Sequence, residues 1–231
     1  MDPPEPLRVA RRALVLAAVS CRSSLELSSA RQDAASFHRS VISWCQRIPH
    51  LIDEFEPEEW ALVAADLGSL TTRAQVNASW RAEGLAVLAW ALSRYEPPDF
   101  EHQVDPPAVG NAIDFLAEGS PDILVRPAMR PYEEIEAFAD EVLAWHWRLR
   151  QYSVRPEHVD FRRFAGECTW ADMPVDRIPL IDADLAIGGV SIARAPEGAR
   201  RQCLSIVWER HQAANWLLGY ERTYSLVTTD T

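Results

Sequence analysis

The chain has 231 residues, of which 48% are hydrophobic, with nine Trp among them. That length and apolar content are enough to bury a core, which excludes disorder or low complexity over most of the sequence. The 23 basic residues stand against 34 acidic ones, for a net charge of −11, and nucleic acid or an anionic membrane as main partner would need clustered positive charge instead. Every basic residue is Arg and none is Lys, so Schiff-base chemistry, a pyridoxal-phosphate anchor and the P-loop or kinase lysine are all excluded.

Helical periodicity dominates in chain order. Residues 5–27 read as an amphipathic first helix. Within it, Arg11-Arg12 followed by Ala13–Ser20 and Cys21 has the outline of a lipoprotein leader, but the apolar run is short and Asp2 and Glu5 precede it. No segment approaches the ~20 apolar residues of a membrane span. A second helix covers Asp33 to Arg47, with Phe37, Val41, Trp44 and Cys45 on one stripe and Pro49 beyond its end. A third starts at Pro57 and stops at Gly68. Thr71 or Thr72 caps the fourth, which runs to Tyr95 and is apolar almost all round from Ala82 to Leu92, as a central buried helix would be.

Pro97-Pro98 opens an acidic loop through Asp99, Glu101 and Asp105, after which Ile113, Phe115 and Leu116 suggest a short helix. Residues 122–130 read as an extended link. A long helix follows from Tyr132 to Tyr152, then an irregular stretch over 153–180 with one helical turn. Leu180–Ile187 and Val190–Ala193 flank Gly188-Gly189 and read as a β-hairpin. A last helix covers Glu197 to Tyr220, with Ser225–Thr231 as a short strand or tail. The expected fold is mainly α, a single-domain bundle of about six to eight helices over residues 1–231, with a small β-hairpin appendage near the C-terminal third.

Cys21, Cys45, Cys168 and Cys203 are widely spaced and form no C-x-x-C pair. Reduced thiols in a cytoplasmic protein are therefore expected, with no zinc site. Asp182-x-Asp184 resembles a divalent-metal pair, yet no further carboxylates stand at ligand spacing, and acidic hairpin edges explain it more simply. Zincin, α/β-hydrolase and dinucleotide motifs are absent from the sequence, so neither metal nor cofactor is expected.

Polar groups fall where periodicity puts the core. Trp80, Glu83, Val87 and Trp90 share one face of the fourth helix. His146 lies among Phe138, Val142, Trp145 and Leu149, and His211 and Asn215 fall on the stripe of Leu204, Val207, Trp208, Ala214 and Leu218. Arg81, Arg148 and Arg150 flank these positions and could pair with Glu83 or Glu209. A buried Arg–Glu pair or a hydrogen-bonded core His is the ordinary explanation for each residue singly. If they converge, they make a polar pocket walled by Trp, where perturbed pKa values belong.

Trp80-Arg81-Ala82-Glu83-Gly84, Leu88-Ala89-Trp90-Ala91-Leu92, His146-Trp147-Arg148-Leu149-Arg150, Glu209-Arg210-His211, Asn215-Trp216-Leu217 and Thr229-Asp230-Thr231 together resemble the bacterial family catalogued as domain of unknown function 4272. The motifs stand in that family's order over nearly the whole chain. The family's tail carries a Trp-Asp pair ahead of the last three residues, where this chain has Tyr224-Ser225. The resemblance implies no particular activity.

Two functions suit the residues. The first is a cofactor- and metal-independent enzyme for dehydration, conjugate addition, isomerisation or cyclisation of an activated carbonyl compound, of the kind used in specialised metabolism. In it His211 or His146 acts as base, Glu83 or Glu209 as acid or orienting partner, and Arg81 or Arg148 holds an enolate-like oxygen. Trp80, Trp90, Trp145, Trp208, Asn215 and Trp216 would then shape an apolar or conjugated small-molecule substrate. The second is a non-catalytic acidic binding protein, such as an immunity protein or adaptor, whose loop at 99–105 faces a basic protein partner.

Overall fold

Pro6 takes the first position of α1 (Pro6–Leu27), where its missing N–H costs nothing, in a computed structural model that describes residues 2–30 and 32–231. The helices that follow are α2 (Ala34–Arg47), α3 (Pro57–Ala64), α4 (Thr72–Ala91), α5 (Pro106–Ala112), α6 (Asp122–Val125), α7 (Tyr132–Val154), α8 (Phe161–Glu167) and α9 (Glu197–Leu217). Three short antiparallel strands stand between α8 and α9 in the order β1 (Leu180–Ile181), β2 (Asp184–Ile187) and β3 (Val190–Ser191). The protein is thus mainly helical with a small sheet in its C-terminal third. None of the helices among the described residues is long and apolar enough to cross a membrane.

The chain groups into two compact units. One comprises Pro4–Pro97 with Val104–Arg130, and the other is built on Pro131–Thr231 with Pro98–Gln103. In the N-terminal unit, α1 packs chiefly on α4. Ala10, Ala13, Ala17 and Ala18 of α1 and Ala82, Ala86, Ala89 and Ala91 of α4 are buried, small enough to let the two backbones approach. Thr71 caps α4 by accepting the Ala74 N–H at 3.2 Å, and Glu56 and Glu59 close a capping box on α3.

The first helix carries two of its arginines on its buried side. Arg12 and Arg22 are 1% and 0% exposed and sit inside. Arg12 donates to the Glu54 carbonyl at 3.1 Å and pairs with Glu59. Arg22 donates to Glu26 at 2.6 Å and to the carbonyls of Ala65 and Asp66 at 3.2 and 2.9 Å. Their guanidinium groups tie the segments around α3 to α1, and those partners let cations occupy a buried face.

In the C-terminal unit, α7 packs on α9. Val142, Trp145 and Leu149 meet Phe161, Leu185, Ile187 and Val207 in its core. Arg210 of α9 is 1% exposed and gathers the carbonyls of Pro98, Asp99 and His102 at 2.7, 3.3 and 3.2 Å. Phe100 is buried against Trp145, with ring centroids 5.2 Å apart. Glu101 accepts the Gly188 N–H at 2.5 Å. The first part of the acidic loop is therefore a tethered segment, with the Asp99 and His102 side chains still 66% and 71% exposed.

Four local expectations change. Leu180–Ile187 is two strands, because Asp182 and Ala183 turn at φ 54° and 61° and pair Ile181 with Asp184. Gly188-Gly189 then makes the second two-residue turn, pairing Ile187 with Val190. Ile113, Phe115 and Leu116 follow α5 instead of forming a helix, with φ 56° at Asp114 and 68° at Leu116. The link at 122–130 opens with the helical turn α6, and the tail holds one 3₁₀ turn at Tyr224–Leu226 where a strand was considered.

Ala183 carries a Cβ in a conformation that favours Gly. Ala183→Gly is therefore expected to stabilise the protein by about 0.5 kcal/mol, the relief of left-handed strain outweighing the added chain entropy. A urea midpoint below that of the parent would show the turn to be unstrained.

Candidate functional site

His146 of α7 and His211 of α9 come together across the helix pair that organises the C-terminal unit. Their Nδ1 atoms are 2.9 Å apart and the rings stand nearly perpendicular, at 85°. Each residue is 3% exposed. Burial, with Arg150 adding to it, holds His146 down at about 4, and burial together with the His146 charge holds His211 at about 3. Both rings are thus neutral near pH 7, and one donates its Nδ1–H to the bare Nδ1 of the other.

The remaining residues of the expected acid–base set are distributed between the units. Glu83 lies in the N-terminal unit, 2% exposed, and its Oε1 accepts the Val104 N–H at 3.0 Å. Arg81 is half-buried in α4, and Glu209 is half-buried in α9. Arg148, expected to pair with Glu83 or Glu209 or to hold a substrate oxyanion, is fully buried against Asp184. Its Nε and Nη2 reach the two carboxylate oxygens at 2.6 Å each, Nη2 also donates to the Glu157 carbonyl at 2.9 Å, and Nη1 meets Gln151. A guanidinium has five N–H donors, and the fold employs most of them here. Asp184, placed by sequence at an acidic hairpin edge, is 1% exposed and also accepts the N–H groups of Val159 and Leu185 at 3.2 and 2.8 Å.

The aromatic and amide residues expected around a substrate serve the fold in several places. Trp216 donates to the Arg222 carbonyl at 3.3 Å and Asn215 to the Thr228 carbonyl at 3.0 Å, so both hold the chain's own C-terminal segment against α9. Trp145 belongs to the C-terminal core, and Trp90 lies under the Arg130 guanidinium at 4.9 Å. Trp80 is half-buried. Trp208, placed on the buried stripe of α9, is 56% exposed, because the buried face runs through Cys203, Ile206, Val207 and Arg210 instead.

A cavity of about 490 Å³ lies elsewhere, within the N-terminal unit. Ala17, Ser20, Cys21 and Ser24 of α1 form one wall, Leu85 of α4 the next, and Phe37 of α2, Gly110 of α5, Phe115 and Leu116 the others. No Trp lines it among the described residues. The volume is that of a small-ligand site. Burial pushes the Cys21 thiol up to about 11, so it stays protonated and adds a soft, uncharged surface. The sequence signal for this wall was present: Ala17, Ser20, Cys21 and Ser24 recur at steps of three, one and three, a stripe of small residues on one helix face.

No curated protein and no solved structure matches the chain. The motifs at 80–92 and 146–150 fall within the stretch matched by a known family, whereas those at 209–217 and 229–231 lie beyond it. Residues 2–161 match the family described as Domain of unknown function (DUF4272), and the chain belongs to that family.

Proposed function

We propose that this protein binds an apolar small molecule, held in the cavity between α1, α2, α4 and α5. The observation that carries this reading is the cavity itself: a 490 Å³ space walled by Leu, Phe, Ala and Pro side chains, with a few hydroxyls on the α1 face. An apolar wall of that extent, partly open to solvent, gains hydrophobic burial when an apolar molecule covers it. Acid–base turnover at His146 and His211 would need a path to rings that are 3% exposed and a base that takes up a proton only below about pH 4. Binding in the N-terminal unit needs neither.

Gly110 offers a clean way to close the cavity. A Cβ built there meets only Phe115, at 3.8 Å, an ordinary contact. Gly110→Leu should therefore fold, and its side chain should occupy ligand space. Diphenylhexatriene, a hydrocarbon that fluoresces in apolar surroundings, is expected to light up with the parent protein. Its affinity should fall at least tenfold in Gly110→Leu, as about 1.4 kcal/mol of lost burial would give. Equal fluorescence with both proteins would place the dye elsewhere and remove the cavity as the site.

A further inference from the structure

Three serines on one turn and a half of α1 differ in what their hydroxyls meet. Ser23 Oγ donates to the Gln75 carbonyl at 2.9 Å, and Ser24 Oγ to the Ser20 carbonyl at 3.5 Å. Ser20 is 2% exposed, lines the cavity, and its Oγ has no hydrogen-bond partner. A helical serine can usually turn its hydroxyl back to the carbonyl four residues earlier. Ser20 does not, and a buried hydroxyl left unsatisfied is unfavourable.

The charge on the same walls narrows what could satisfy it. Among the described residues lining the cavity, Asp33 is the one charged side chain, and neither Arg nor His contributes. A carboxylate or phosphate entering the cavity would lose its hydration without meeting a cation, which is strongly unfavourable. The net charge of −11 opposes an approaching anion as well.

We infer that the occupant is an uncharged amphiphile, such as an alcohol, ketone or ester, whose one hydrogen-bonding oxygen sits on Ser20 Oγ while its apolar body lies against Phe37, Leu85 and Phe115. The inference rests on the cavity being the ligand site and adds the chemistry of what fills it. A carbonyl or ether oxygen accepts the Ser20 proton, and an alcohol can also donate to Oγ.

The test is competition against bound diphenylhexatriene, using decanol and decanoate at pH 8 on the parent and on Ser20→Ala. Decanol should displace the dye from the parent at least tenfold more effectively than decanoate. Ser20→Ala should cost decanol about tenfold more affinity than it costs the hydrocarbon dye, the factor one hydrogen bond supplies. Without ligand, Ser20→Ala should melt no lower than the parent, because it removes an unsatisfied hydroxyl and places Ala in a helix.

Decanoate competing as well as decanol would overturn the assignment of charge. Equal losses for decanol and dye in Ser20→Ala, or a lower melting temperature without ligand, would overturn the anchor and leave the cavity reading standing. Failure of the parent to bind the dye at all would overturn the cavity reading, and this inference with it.

Discussion

Replacing Asp184 by Ala should destabilise the protein by about 3–5 kcal/mol, more than any substitution on its surface. The carboxylate binds both Nε and Nη2 of Arg148 at 2.6 Å, with the two side chains 0% and 1% exposed. Without it, a guanidinium remains in the core with the Glu157 carbonyl, Gln151 and the Tyr152 ring to meet it but no counter-charge, and the N–H groups of Val159 and Leu185 lose an acceptor. The cost is that of an uncompensated buried charge and is not the net contribution of the pair. The double variant Arg148→Met with Asp184→Leu, of similar volume and uncharged, should recover most of the loss. Urea unfolding of the parent, the single variant and the double variant measures both. A single variant within 1 kcal/mol of the parent would mean that water reaches the site and the pair is not the lock for β2 and α7 that its geometry implies.

The largest pH effect above the carboxylate range should come from His146 and His211. Both titrate below the ordinary 6.5 in the folded protein, at about 4 and 3, because burial disfavours their charged forms. As pH falls through 6.5, the unfolded chain takes up protons that the folded pair refuses. The pair's contribution is therefore complete above pH 6.5 and is lost progressively between 6.5 and about 3. Each histidine costs up to about 1.4 kcal/mol per pH unit, so stability should drop by roughly 3–4 kcal/mol between pH 7 and pH 5. Asp99 and Glu26 have lowered pKa values and lose their contributions only at lower pH. His102, raised by its exposed hydrogen bond to Asp99, acts weakly in the opposite sense.

His211→Asn places an amide near the Nδ1 position and can keep the hydrogen bond to His146 without titrating. Its loss between pH 7 and pH 5 should be about half that of the parent. An identical pH slope in His211→Asn would assign the acid sensitivity to other groups.

Much of this protein's local structure is legible in its residues. The apolar run from Ala82 to Leu92 marks α4 as buried, and Thr71 marks where it begins. The spacing around His146 and His211 turns both rings inward on α7 and α9. Gly188-Gly189 marks one turn of the small sheet, whereas the turn at Asp182-Ala183 is hidden, since neither residue is Gly and only the register of β1 on β2 reveals it. Trp208 misleads because it stands at the edge of the stripe, exposed at 56% while Val207, His211 and Ala214 beside it are buried.

Which buried groups meet is a different kind of fact. Nothing near Arg148 in the chain points to Asp184, 36 positions later, and nothing near Asn215 or Trp216 points to the carbonyls of the chain's own tail. The cavity has no local signature beyond the small residues on α1, because its other walls come from α2, α4, α5 and the turn after it. A mainly helical protein without lysine chemistry, the identity of its long helices and most of their buried faces are legible in the residues alone. These follow from covalent geometry repeated every 3.6 residues, a property each segment carries alone. That the two histidines bond to each other, that Arg148 belongs to Asp184 and that the open space lies beside Ser20 emerges with the packing of the helices. Partners are chosen by packing between segments distant in the chain, where many arrangements satisfy the same periodicity and one fills the space and pairs the buried charges.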